Sequence, residues 1–150
     1  MIIIGGGCAG LTAAIYCARA MMEPIVFADN LDNKGGLLVK ISVVENYPGF
    51  ATGINGFDLV NNMEQQAILY GARIINTRIE SVDFSKRPFI LIDSTGTKYR
   101  CQSVIICTEP LATLDRFRDF ANAKRQAASS LDFFYCYIKD PVKMRLTALR

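Results

Sequence analysis

Ile2-Ile3-Ile4-Gly5-Gly6-Gly7-Cys8-Ala9-Gly10 decides how the rest of this 150-residue chain is read. Three β-branched apolar residues predict a buried strand, and the glycines after them keep the spacing G-x-G-x-x-G at Gly5, Gly7 and Gly10. A run of leucine and alanines comes next, so the glycines stand between a strand and a helix, where that spacing has a physical use. Gly5 permits a sharp turn out of the strand, Gly7 lets a pyrophosphate approach the backbone, and Gly10 lets the helix pack close to the sheet. The phosphates would meet the helix N-terminus, whose free N–H groups and positive dipole end stabilise an anion.

A turn of this composition could also bind nothing, and Asp29 weighs against that. It lies nineteen positions after Gly10, at the end of a second apolar run, Ile25-Val26-Phe27-Ala28. A carboxylate there accepts hydrogen bonds from the hydroxyls of an adenosine ribose. The alternative is an ordinary loop acid, since Asn30, Asp32 and Asn33 make the segment polar anyway. Between the two runs Leu11, Ala14, Ile15 and Ala18 recur at helical spacing, and Ala13 and Ala20 keep the helix slim. Residues 2–29 therefore read as one strand, helix, strand unit.

The fingerprint does not choose between NAD, NADP and FAD. Four later segments do: Gly35-Gly36-Leu37, Val44-Glu45-Asn46-Tyr47-Pro48-Gly49-Phe50, Gly53-Ile54-Asn55-Gly56 and Ser81-Val82-Asp83-Phe84-Ser85-Lys86-Arg87-Pro88-Phe89. In this order they resemble the FAD domain of low-molecular-weight thioredoxin reductases, over residues 1 to about 108. The resemblance implies an α/β fold, a Rossmann-like FAD-binding domain in which a parallel sheet carries a small antiparallel β-meander. It also implies FAD as cofactor, held by Gly5, Gly6, Gly7, Cys8, Ala9, Gly10, Asp29, Gly36, Leu37, Asn46, Ile79 and Thr108. Asn46 would act through its side chain and Ile79 through its backbone; a turn-stabilising Asn before Pro48 and a core isoleucine are the alternatives.

Further on, Asp119 with Arg125-Gln126-Ala127 is similar to the family's closing segment. The likeness implies that Asp119 binds the ribityl and phosphate region and that Arg125, Gln126 and Ala127 start a helix facing the flavin's pyrimidine edge. Such a helix start stabilises negative charge on the reduced ring. Alternatively, Asp119 and Arg125 are charges on a solvated helix. In the family an NADPH-binding domain with a redox-active Cys-x-x-Cys separates the two FAD segments, whereas here ten residues separate Thr108 from Asp119. The chain has no second glycine fingerprint, and Cys8, Cys17, Cys101, Cys107 and Cys136 include no Cys-x-x-Cys pair. The expected organisation is a first FAD segment over 1–108, a link over 109–118, a closing segment over 119–140 and a tail over 141–150.

Within the matched part the chain also departs from the family. Cys8 replaces the fingerprint proline, Leu37 a glutamine, and Ala28 the acid after the second strand, with Asp29 one place later. Cys107-Thr108-Glu109 stands for Ala-Thr-Gly, and Asp132, Phe133 and Phe134 bring bulk to the expected final helix, where small residues belong. Cys8 has two readings, a thiol activated by the helix N-terminus or a small filler in a turn.

The middle of the chain completes the architecture. Apolar residues at helical spacing predict an amphipathic helix over 56–69, ended by Gly71. Strands are expected over 73–84, 89–93, 98–101 and 104–107, separated by turns at Lys86-Arg87-Pro88 and Ser94-Thr95-Gly96.

Composition limits the remaining choices. With 51% hydrophobic residues the chain can bury the core of one domain, and a formal charge of +3 is too mild to argue nucleic acid. No apolar stretch is long enough to span a bilayer. Five cysteines without a secretion signal predict reduced thiols and a cytoplasmic setting. The C-terminal basics Lys139, Lys143, Arg145 and Arg150 predict a solvated tail, with a weak amphipathic turn as the alternative. A chain without histidine holds no histidine triad or histidine zinc site.

Two function classes remain. One is a homodimeric reductase of the resembled type, in which FAD takes hydride from NADPH and passes electrons to a disulfide and on to thioredoxin. The other is a non-catalytic flavin-binding or dimerisation module, a truncated product of such a gene. No catalytic residue and no metal ligand is expected in these 150 residues.

Overall fold

The computed structural model describes residues 1–29, 35–108, 134–138 and 144–146. The strand β1 (Ile2–Ile4) lies inside a six-stranded sheet, flanked by β2 (Ile25–Phe27) and β7 (Val104–Ile106). Both neighbours run parallel to it, with Ile3 opposite Val26 on one side and Ile105 on the other. A continuous apolar run suits this place because both faces are covered. Ile3 packs beneath α1 (Cys8–Arg19) with Ala14, Ile15 and Ala18, while Ile2 and Ile4 face the opposite layer with Phe27, Leu91 and Ile106.

The helix α2 (Gly56–Leu69) lies beside α1, and Leu59, Val60 and Met63 close on Leu11 and Val44. The Asn55 carboxamide caps it, accepting from the Phe57 amide at 2.9 Å and the Asp58 amide at 3.4 Å. Its far end stops at Tyr70, followed by Gly71 with φ +99°. From there β3 (Arg73–Ile75) joins the sheet parallel to β2.

On the opposite face, β4 (Ile79–Asp83), β5 (Phe89–Asp93) and β6 (Lys98–Cys101) form the antiparallel meander. Phe89, Leu91 and Asp93 alternate inward along β5. The Tyr99 ring meets Phe27 edge to face at 4.8 Å, tying the meander to β2. The α/β architecture is the one expected.

Three local expectations are corrected. Residues 73–84 are not one strand: the chain breaks at 76–78, leaving β3 in the parallel sheet and β4 in the meander. The break is held by Thr77, whose hydroxyl donates to Asp93 at 3.3 Å, and by the Ser94 amide, which donates to the Arg78 carbonyl at 2.8 Å. Second, Phe134 is not helical. β8 (Phe134–Ile138) runs parallel to β7, with Ile105 opposite Phe134; aromatic and β-branched residues suit a strand, and the edge of β7 offers unpaired backbone groups. Third, the expected solvated tail contains β9 (Met144–Leu146), antiparallel to β8.

Candidate nucleotide-binding site

The glycines after β1 do different work. Gly5, at φ +115°, donates its amide to the Phe27 carbonyl at 2.9 Å, and a Cβ on it would strike the Cys107 carbonyl oxygen. The Thr108 amide nitrogen lies 3.2 Å from the same point, so Thr108 borders the turn. Gly6 is closed off by Ala28, whose Cβ stands 2.5 Å from the corresponding position. Gly10 packs its Cα face directly on the Gly5 carbonyl oxygen, with no room for a side chain. These three are needed by the fold itself.

Gly7 differs. It is the N-terminal flanking residue of α1, in ordinary extended conformation (φ −82°, ψ −174°). A Cβ on it would approach no described residue outside the turn more closely than 3.8 Å, the distance to the Gly35 carbonyl oxygen. Backbone conformation therefore does not require glycine here. The space beside it lies at the start of α1, where no side chain caps the helix and no acid occupies the first turn. α2, in contrast, has its Asn55 cap and Asp58 in the first turn. The start of α1 thus keeps N–H groups and a positive dipole end for an anion.

The facing wall is a second glycine turn. Gly35 and Gly36 have φ of +87° and +67° and lead into a 3-10 helix, Gly36–Lys40. The far end of that 3-10 helix is tied to α2, the Gly56 amide donating to the Ile41 carbonyl at 3.0 Å. Gly36 is half-buried and Leu37 exposed. Gly35 was not among the expected contacts; the double glycine was the signal for it, since two left-handed residues in a row bring a backbone carbonyl up to Gly7.

The other expected residues divide. Asp29 follows Ala28, the residue packed on Gly6, and adopts φ +65°, so its half-buried position is at the carboxyl end of β2 beside the glycine turn. Ala9 lies half-buried in the first turn of α1. Cys8 packs against the cluster of Leu11, Val44 and Leu59, and burial pushes its thiol above the ordinary value. Burial opposes the thiolate that the activated-thiol reading needs, and it favours the reading of Cys8 as a filler. Asn46 is exposed in the turn after Val44, which pairs with Ile54. The Ile79 side chain belongs to the core with Phe27 and Leu91, which leaves only its backbone for a ligand. Asp119, Arg125, Gln126 and Ala127 lie outside the described residues. Among the described residues, no group of three or more acids and cysteines could hold a metal ion, and no helix is long and apolar enough to cross a membrane.

Comparison with known proteins agrees with this geometry. The family described as pyridine nucleotide-disulphide oxidoreductase matches residues 1–109. The thioredoxin reductase of Rickettsia typhi is 50% identical over 108 residues, covering 72% of this chain and 34% of that protein. The thioredoxin reductase of Rickettsia felis is 41% identical over 141 residues, covering 90% of this chain and 44% of that protein. Among solved structures, the thioredoxin reductase of Giardia duodenalis superposes with a TM-score of 0.67 at 34% identity, over 72% of this chain and 34% of its own. The chain thus spans between about a third and under half of the length of these relatives.

FAD is the cofactor that this likeness implies. The residues fit it: the space that a side chain on Gly7 would fill, at the uncapped start of α1, suits a pyrophosphate. With residues 1–109 matching its family model, this thioredoxin-reductase-like chain belongs to the pyridine nucleotide-disulphide oxidoreductase family.

Proposed function

We propose that these 150 residues bind FAD as the flavin half of a thioredoxin-reductase-type enzyme. The observation that carries the reading is Gly7, a glycine that neither the backbone conformation nor the packing of described neighbours requires. The Gly7 and Gly35 backbones would flank the pyrophosphate, the amides of Cys8, Ala9 and Gly10 would orient it, and Asp29 would hold the adenosine ribose. Asn46, the Ile79 backbone, Leu37 and Thr108 would border the remainder of the cofactor. When bound, FAD supplies two-electron chemistry, accepting a hydride and passing electrons on to a disulfide. Thioredoxin as electron acceptor, a homodimeric assembly and a cytoplasmic setting complete the reading.

In these residues the electron path is open at both ends. Hydride delivery needs a nicotinamide held in contact with the flavin, and the chain has one glycine fingerprint. Dithiol exchange needs an attacking thiolate beside a resolving thiol, and the sequence has no Cys-x-x-Cys pair. By themselves, then, these residues act as a flavin-binding module.

For residues beyond 109, the closing-segment reading assigns Asp119, Arg125, Gln126 and Ala127 to FAD. The Rickettsia felis alignment favours a second reading. It spans 141 residues, 90% of this chain and 44% of the relative, which leaves no room for a skipped domain. The residues after 109 then continue along the relative instead of returning to the FAD domain. β8 at Phe134–Ile138 agrees, since the closing helix would run through Phe134.

The test is the visible spectrum of the purified chain, with the heat-released cofactor identified by mass. Bound FAD supports the proposal; a nicotinamide nucleotide in place of flavin, or no nucleotide even after incubation with FAD, overturns it.

A further inference from the structure

The two oxygens of the buried Asp93 carboxylate serve different parts of the molecule. Oδ1 closes the turn between β5 and β6, accepting from the Thr95 hydroxyl at 2.6 Å and from the Thr95 and Thr97 amides at 2.9 and 3.0 Å. Oδ2 reaches out of that turn, accepting from the Thr77 hydroxyl at 3.3 Å and the Tyr99 hydroxyl at 3.0 Å. The turn is complete without these two bonds.

Both Oδ2 donors adjoin the candidate site. Thr77 stands two residues after Ile75, whose carbonyl accepts from the Ala28 amide at 2.9 Å. The Tyr99 ring packs edge to face on Phe27, the residue before Ala28. Ala28 in turn closes on Gly6, and Asp29 follows it. β2 and β3 run parallel, so Ala28 and Thr77 lie past the carboxyl ends of adjacent strands, the edge of an open α/β sheet at which ligands bind. The strand order β3-β2-β1 gives this edge a direction. A cofactor with its pyrophosphate at the β1 turn and its ribose at the end of β2 carries its adenine on toward β3 and the chain that leaves it. There the amides of Asn76 and Thr77 form no hydrogen bond with a described residue.

We propose that Asp93 is a positioning residue for the cofactor: through Oδ2 it holds the chain from Thr77 to Ile79 against the end of β2, and so sets the Ile79 backbone relative to Asp29 for the adenosine half of FAD. This role rests on the FAD reading above. It separates the two oxygens, Oδ1 supporting the fold and Oδ2 the ligand.

Calorimetric titration with FAD, and with ADP as the probe of the adenosine half, tests it beside thermal melting followed by circular dichroism. Thr77→Val and Tyr99→Phe each remove one Oδ2 bond and should weaken FAD and ADP by the same factor, roughly three- to tenfold. Thr77→Ser keeps the hydroxyl and should bind as wild type. Thr95→Ala removes the 2.6 Å bond to Oδ1; it should lower the melting temperature at least as far as Thr77→Val does and leave both affinities unchanged. A folded Thr77→Val chain that binds FAD as tightly as wild type overturns the positioning role and leaves the FAD reading intact. So does a Thr95→Ala chain that loses as much affinity as Thr77→Val, because binding would then follow stability alone. A wild-type chain that binds neither FAD nor ADP overturns the FAD reading itself. Should Thr77→Val or Tyr99→Phe fail to fold, the other decides.

Discussion

The Gly35 carbonyl oxygen stands 3.8 Å from the point that a Cβ on Gly7 would occupy, and no other described residue outside the turn comes within 4 Å of it. Gly10, three residues on, presses its Cα face onto the Gly5 carbonyl. Two glycines of one motif therefore differ: the fold requires Gly10, and it does not require Gly7.

That difference predicts opposite phenotypes. Gly7→Val should abolish FAD binding while changing stability by no more than about 1 kcal/mol, the scale of altering a helix N-cap. Gly10→Ala should destabilise the fold by about 1 to 3 kcal/mol, the usual cost of overpacking, and lose flavin only as it unfolds. Flavin content after purification and urea unfolding followed by circular dichroism separate the two. A Gly7→Val chain that stays yellow would remove the main support for the site.

The same residues show how far the sequence could be read. The unit over 2–29 was legible because strand, glycine spacing and alanine-rich helix all agree on one local structure. The bounds of α2 were legible from apolar residues at helical spacing and from Gly71, while the Asn55 cap that fixes its start emerged only in the structure. The break at 76–78 was not, because 73–84 has strand-like composition throughout and the division depends on Thr77 and Arg78 bonding to residues sixteen positions away. β8 was hidden for the opposite reason. Phe134–Ile138 suits a strand, but its pairing with β7 is a tertiary choice, and the residues expected to precede it suggested a helix. In the site, Gly7, Gly10 and Asp29 followed from spacing, whereas Gly35 needed the approach of two loops.

Asp93 should govern the acid stability of the meander. The carboxylate is 2% exposed and accepts from the Thr95 hydroxyl at 2.6 Å, the Thr95 and Thr97 amides at 2.9 and 3.0 Å, and the Tyr99 hydroxyl at 3.0 Å. These bonds, the Thr95 hydroxyl foremost, hold its pKa at about 2 against the opposing effect of burial. The folded value lies below the unfolded one of about 3.9. The stabilisation is therefore full above pH ~4 and is lost as pH falls through the folded value. Asp93→Asn should melt several degrees lower at neutral pH and lose less stability than wild type between pH ~4 and ~2. Denaturation midpoints at the two ends of that range check the sign; equal losses in both chains would refute it.

The cysteines should be sluggish toward alkylation. Burial raises the thiols of Cys8, Cys17 and Cys101, the N-terminal charge opposing it only in part at Cys17 and Cys101. At neutral pH each then carries less thiolate than a free cysteine, and thiolate is the reacting form. Timed labelling with iodoacetamide, read by peptide mass, should show all three lagging behind a free cysteine peptide and catching up in denaturant. Rapid labelling of Cys8 in the folded chain would support the activated-thiol reading.

Asp29→Ala and Asp119→Ala together divide the two readings of the chain beyond residue 109. Asp29 stands beside the glycine turn, so its removal should weaken FAD by about 1.5 to 3 kcal/mol, the range for a hydrogen bond to a charged group, or roughly ten- to a hundredfold. The closing-segment reading gives Asp119 a comparable contact with the ribityl and phosphate region. If the residues after 109 instead continue along the relative, as the 141-residue alignment favours, Asp119 has no flavin contact and Asp119→Ala should bind FAD as tightly as wild type. Fluorescence titration of FAD into the stripped protein measures both variants, with circular dichroism to confirm that each is folded. Equal weakening by the two substitutions would return residues 119–127 to the flavin site, because a skipped domain would then be required after all.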